Sequence, residues 1–178
     1  MSGHAMVYDV VRHRIAVFGG WSSLPTAQPL NGEWVYGLPA PTHTTYGTGC
    51  RGSTGVPALS FVDLPWLNRV LRVRLSGARP LTPAALLLGS SGQVWLGLPL
   101  PYDLASFGAP SCTLFNSGEY SPGSTTDAQG SAEMPLFIPN KSYLTGLRLF
   151  AQFMVYDPGA NALNAVFTQG GIAQIGGL

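Results

Sequence analysis

The sequence predicts an all-β protein: an antiparallel β-sandwich or jelly-roll-like domain, with a three-stranded segment ahead of it. Three observations predict it. No stretch of about 12 residues keeps apolar positions at helical spacing without a Gly or Pro. Glycine and proline supply 23 and 15 of the 178 residues, and they bound a succession of short β-rich runs, as strand ends require. Two of those runs alternate with period two. In 69–75, Leu71, Val73 and Leu75 take one face, and Val70, Arg72 and Arg74 the other. In 147–155, Leu147, Leu149, Ala151, Phe153 and Val155 point inward, with Arg148 and Gln152 outward. Such alternation marks a strand with one face buried and one wet.

Taken in order, the expected strands are 5–11, 14–18 and 33–36, then 58–62, 69–75, 84–88, 94–98, 112–115, 132–138, 146–156 and 162–168, with a short final run at 172–175. Each combines β-branched, aromatic or aliphatic residues with flanking turn formers. Residues 116–130 lack an apolar period and read as a loop, and a long loop in a compact domain is often functional. Leu38-Pro39-Ala40-Pro41-Thr42 reads as a semi-extended connection. The expected organisation is therefore N-terminal strands in 1–37, a linker and first turn in 38–57, and the sandwich in 58–178.

The composition narrows function by exclusion. Hydrophobic residues make up 46% and charged residues 10%, with a net charge of +1. Disorder needs the opposite balance. Nucleic-acid binding needs clustered Lys and Arg to neutralise phosphates, so none is expected. The longest apolar run, Ala84-Ala85-Leu86-Leu87-Leu88, is far short of the ~20 residues of a helical membrane span. The Gly, Pro, Ser and Thr richness has an extracellular or cell-envelope character, whereas Met1-Ser2-Gly3-His4 has no basic and apolar leader pattern. Together these suggest the C-terminal piece of a longer protein. Cys50 and Cys112 form an even count. A bridge between them would close a loop of about 60 residues and stabilise by about 4 kcal/mol; two buried thiols are the alternative.

The N-terminal run His4-Ala5-Met6-Val7-Tyr8-Asp9, followed by Arg12-His13-Arg14-Ile15-Ala16-Val17-Phe18-Gly19-Gly20 and Leu30-Asn31-Gly32-Glu33-Trp34-Val35-Tyr36, resembles one kelch repeat. Gly19-Gly20 permits a backbone course closed to residues with a Cβ, and Trp34 offers a large apolar contact between blades. The resemblance implies a kelch-blade-like segment. A propeller closes with about 4–8 blades, and residues 4–36 supply at most one. Its apolar faces and strand edges must then be covered by the C-terminal sheet, by upstream kelch blades or by another copy. The remainder resembles a module found after kelch-type repeats in secreted bacterial proteins. Tyr46-Gly47-Thr48-Gly49-Cys50, Leu87-Leu88-Gly89-Ser90-Ser91, Gly108-Ala109-Pro110-Ser111-Cys112, Ile138-Pro139-Asn140, Ala151-Gln152-Phe153 and Asp157-Pro158-Gly159-Ala160-Asn161 carry the likeness. It implies a β-sandwich with one disulfide and brings no catalytic residues.

Candidate chemistry is sparse, and each candidate has a plainer reading beside it. His4, His13 and His43 could together hold Zn²⁺ and activate water, but their spacing fits no short zinc motif. Asp157 and Asn161 could ligate Ca²⁺, with Glu119 and Asp127 adding carboxylates, although Asp-Pro-Gly is also a plain turn. No cofactor is expected. Ser90 follows an apolar strand but lacks the helix of a nucleophile elbow. Trp21, Trp66, Trp95, Tyr102, Phe107 and Tyr120 sit in or beside turns, where they could stack on a glycan or anchor a protein; core packing is the alternative. Arg69, Arg72, Arg74 and Arg79 form either a solvated face or a site for an anionic partner. The expected function is a non-catalytic binding or self-association module, with a homo-oligomeric contact through residues 4–36. A metal-assisted hydrolase (His4, His13 and His43, with Asp9) and a carbohydrate-binding module (Trp66, Trp95, Tyr102) are the alternatives.

Overall fold

The computed structural model describes residues 3–10, 14–22, 28–29 and 33–177. Its strands are β1 (Ala5–Asp9), β2 (Arg14–Phe18), β3 (Trp21–Ser22), β4 (Gln28–Pro29), β5 (Glu33–Gly37), β6 (Thr42–Tyr46), β7 (Ala58–Phe61), β8 (Arg69–Ser76), β9 (Pro83–Gly89), β10 (Val94–Trp95), β11 (Leu98–Pro99), β12 (Tyr102–Asp103), β13 (Thr113–Leu114), β14 (Gly123–Thr125), β15 (Ala132–Ile138), β16 (Arg148–Tyr156), β17 (Ala165–Phe167) and β18 (Gly170–Gln174). Two 3₁₀ turns, Ala105–Phe107 and Ser142–Leu144, are the helical elements among the described residues. The all-β class holds.

Two antiparallel sheets enclose the main core. The larger runs β14-β9-β16-β18-β6, with β17 also on β16, and the smaller runs β15-β8-β7. The alternation in β8 does what it predicts: Leu71, Val73 and Leu75 are buried while Arg72 and Arg74 stay exposed. On the inner face of the large sheet, β16 aligns Phe153 with Leu86 and Val155 with Ala84 of the neighbouring β9, and all four are buried. Fully burying a side chain such as Phe153 or Leu86 is worth roughly 1.5–3 kcal/mol, so this seam is a major source of stability.

Several segments depart from expectation for identifiable reasons. Thr42–Tyr46, assigned to the linker, is the edge strand β6 and pairs along its whole length with β18. The sandwich therefore begins ahead of residue 58. Gly123–Thr125, inside the expected loop, is the edge strand β14 on β9. Both edges pair through backbone groups and need no apolar period. Residues 94–98, expected as one strand, form a hairpin between β10 and β11. Leu96 and Gly97 turn it with φ of 48° and 83°. Two consecutive positive φ values make the mirror-image turn that strand twist favours, but leucine at the first position hides the usual Asn-Gly signal.

Leu147, expected to point inward, lies ahead of β16 and is 49% exposed, and Gln152 is the clearest reversal. It sits on the β16 face expected to be wet, yet it is fully buried. Its Nε2 donates to the carbonyls of Thr113 and Thr168, each at 2.8 Å, and its Oε1 accepts the Phe115 N–H at 3.0 Å. The segment around β12 and β13 thus lies over the outer face of the large sheet as a third layer. Cys50 and Cys112, both buried, form a disulfide that fastens the same segment to the chain leading into β7.

The N-terminal strands form a separate antiparallel sheet in the order β1-β2-β5. Gly19 and Gly20 have φ of 64° and 107°, a left-handed course that glycine enters without steric cost. Pairing of Ala5 with Phe18, Met6 with Val17 and Val7 with Ala16 puts apolar side chains on both faces. Met6, Val7 and Phe18 are 66%, 53% and 44% exposed. The sandwich leaves these side chains uncovered, against the expectation that it could shelter them. The Trp34 side chain lies outside the described residues.

Candidate functional site

Three ring-bearing residues of the third layer come together. Trp95 on β10, Tyr102 on β12 and Phe107 in the 3₁₀ turn have ring centroids 5.8–6.2 Å apart, tilted or edge-to-face. Aromatic quadrupoles favour this geometry. Trp95 and Phe107 help line a cavity of about 320 Å³ between this layer and the large sheet. Leu87, Leu163 and Phe167 supply apolar walls, and Asn116 and Gly118 the polar part. Tyr102 braces the two rings without lining the cavity.

Asn116 is fully buried. Its Nδ2 donates to the Leu87 carbonyl at 3.0 Å, while its Oδ1 receives no hydrogen bond from the protein. A buried acceptor left unmatched costs roughly 1–3 kcal/mol. Asn116 was not singled out on sequence, because a lone Asn at the start of a loop carries no periodic signal.

The remaining sequence candidates are dispersed or already engaged. Trp66 lines a different, shallow cavity with Asp63, Leu64, Arg69 and Val70. Arg72 makes a two-pronged ion pair with Asp63, at 2.7 and 2.8 Å. Arg74 holds Glu133 at 2.9 Å. Both arginines on the expected anion-binding face thus spend their charge on carboxylates of the same chain. The Arg79 guanidinium stands 3.6 Å from the buried Asp157. His43, on β6, rests its ring on Phe61 with centroids 5.3 Å apart. His4 is exposed just before β1, and His13 lies outside the described residues. Among the described residues no three His, Cys, Asp or Glu side chains converge to hold a metal ion.

The proposed calcium and nucleophile groups have structural occupations too. Asp157 Oδ2 accepts the Ser53 N–H at 2.7 Å. The Asn161 side chain grips both backbone groups of Ala165. Asp127 Oδ1 accepts the N–H groups of Gln129 and Ser131, closing a turn. Ser90 donates its hydroxyl to Glu119 at 2.8 Å, and Ser117 does the same.

Two of these carboxylates shape the pH response. For Glu119, partial burial opposes ionisation, but hydrogen bonds from Ser90 and Ser117 outweigh it and hold the carboxyl below its ordinary value. The Arg72 hydrogen bond lowers Asp63 likewise. A carboxyl whose folded pKa is depressed stabilises the fold above its unfolded value and loses that contribution as pH falls through the folded one. The thermal midpoint should therefore hold from pH 7 to about 5 and decline below about pH 4. Glu119→Gln should show a smaller acid decline than the wild type in thermal scans at pH 7 and pH 3.5. An equal decline in both would remove Glu119 from the account.

Comparison with protein-family models and with curated proteins finds no match for the chain.

Proposed function

We propose that this protein is a non-catalytic, extracellular-type binding module that associates through a kelch-blade-like N-terminal sheet. One observation carries the association: the β1-β2-β5 sheet presents apolar residues on both faces, and Met6, Val7 and Phe18 remain exposed in the single chain. A sheet that is apolar on both sides needs a layer against each. Propeller blades meet that requirement by stacking on one another. The covering layers are blades of the same kind, and a second copy of this chain is one source of them. The net charge of +1 leaves little repulsion between copies. The disulfide fits an oxidising compartment. The absence of catalysis is supported by the engagement of His43, Ser90 and Asp157 in packing, turns and hydrogen bonds.

The test uses the full chain in light scattering coupled to size-exclusion chromatography. Wild-type protein at tens of micromolar should elute as a dimer or larger species. Met6→Lys combined with Phe18→Lys, one change per face, should reduce it to a monomer with an unchanged far-UV spectrum. A wild-type monomer whose behaviour the double substitution leaves unaltered would overturn the proposal.

A further inference from the structure

We infer that β6 is a strand-pairing edge, on which β6 of a second copy adds in antiparallel register. The inference rests on the association through the N-terminal sheet, from which β6 is separated by residues 38–41 alone.

The register fixes which backbone groups are left over. The Ile175 N–H donates to the Leu147 carbonyl at 2.9 Å, and the Ile175 carbonyl accepts the Gly146 N–H at 2.7 Å. Backbone groups alternate in direction along an antiparallel strand. Ala173 and Gly171 therefore also point to β16, while Gly170, Ile172 and Gln174 point to β6. Their partners there are Tyr46, Thr44 and Thr42. The N–H and C=O groups of His43 and Thr45 thus face away from the sheet, on a strand whose first four residues are exposed. Among the described residues, what reaches them is the Thr44 hydroxyl, 3.4 Å from the Thr45 carbonyl, and a hydroxyl can rotate to another partner.

The other edges of the two sheets are protected. On β7 the Gln169 amide takes both backbone groups of Leu59, at 3.2 and 2.9 Å. On β17 Asn161 holds Ala165, and Cys50 holds Phe167. On β15 the outward position falls on Pro135, because Arg72 opposite it turns its carbonyl to Val62 of the β7 side, and proline has no N–H to offer. β14 is three residues long. Such devices keep sheet edges from pairing with another chain. β6, Thr42-His43-Thr44-Thr45-Tyr46, has none of them: no proline, no carboxylate, lysine or arginine, and residues favoured in strands.

The leftover groups are self-complementary. When two copies pair about Thr44, His43 of one meets Thr45 of the other, and each such pair exchanges both of its hydrogen bonds. Thr44 then faces Thr44, and Thr42 faces Tyr46, cross-strand neighbours that add to the pairing. A few backbone hydrogen bonds do not offset the cost of associating two free chains. Once the N-terminal sheets hold the copies together, the same bonds form at high effective concentration.

Amide hydrogen exchange on the full chain, followed by NMR at the concentration used for light scattering, reads the pairing directly. In the wild type the His43 and Thr45 amides should exchange at least about tenfold more slowly than in the Met6→Lys, Phe18→Lys variant. Thr44, already bonded to β18, should be slow in both. Thr45→Pro removes an N–H that β18 does not use, so it should keep the Thr44 protection and return His43 to fast exchange. A wild-type dimer whose His43 and Thr45 amides exchange as fast as unpaired ones would overturn β6 pairing and leave the N-terminal association standing. A wild-type monomer with equally fast amides would overturn both. Protection that persists in a dimeric Met6→Lys, Phe18→Lys variant and is lost with Thr45→Pro would uphold β6 pairing and overturn the N-terminal reading alone.

Discussion

Replacing Gln152 with leucine should destabilise the protein by about 3–5 kcal/mol, since burial without hydrogen bonds costs roughly 1–3 kcal/mol per polar group. Gln152 is fully buried and satisfies three backbone groups at once: the carbonyls of Thr113 and Thr168 and the N–H of Phe115. Leucine has similar bulk, so packing is largely kept and the loss isolates the hydrogen bonds. Thr168 keeps a further role through its hydroxyl, which accepts the Phe153 N–H at 3.0 Å, so β16 itself should survive. The third layer should suffer most. Urea unfolding checks the magnitude, and hydrogen exchange at Phe115 checks the place. A loss under 1 kcal/mol would mean that Gln152 does not fasten that layer.

Removing the disulfide is the second large effect. Cys50→Ser with Cys112→Ser should cost about 4 kcal/mol on the chain-entropy account, because the bridge closes a separation of 62 residues. The native state contributes as well. Cys50 Sγ accepts the Phe167 N–H at 3.1 Å, so the bridge also anchors β17. Phe167 also lines the aromatic cavity, so loss of the bridge loosens that wall along with β17. Unfolding of the wild type with and without reductant, compared with the double variant, checks this. Coincident curves for all three would show that the bridge contributes nothing to stability.

Much of the fold was legible because burial on one face imposes a period. The alternation in β8 and the inward set Leu149, Ala151, Phe153 and Val155 of β16 could be read directly. Edge strands such as Thr42–Tyr46 and Gly123–Thr125 were hidden, since backbone pairing alone holds them. The β10-β11 hairpin was hidden by an atypical residue in its turn. The candidate site was half legible. Trp95, Tyr102 and Phe107 stood out as turn aromatics, but nothing in their spacing says that they meet. Asn116, at the start of a loop, carries no periodic signal, and Gln152 reads as wet because a polar residue on an outer strand face looks solvated until another layer is known to cover it.

By itself, then, the chain's pattern of apolar residues and turn formers determined an all-β architecture and which side of the central strands faces inward, because those depend on neighbours two residues apart. Only the tertiary structure decided what the second side of the large sheet touches. Segments tens of residues distant are brought onto it by a disulfide and by the buried amides of Gln152 and Asn116, and local periodicity carries no record of contacts at that separation.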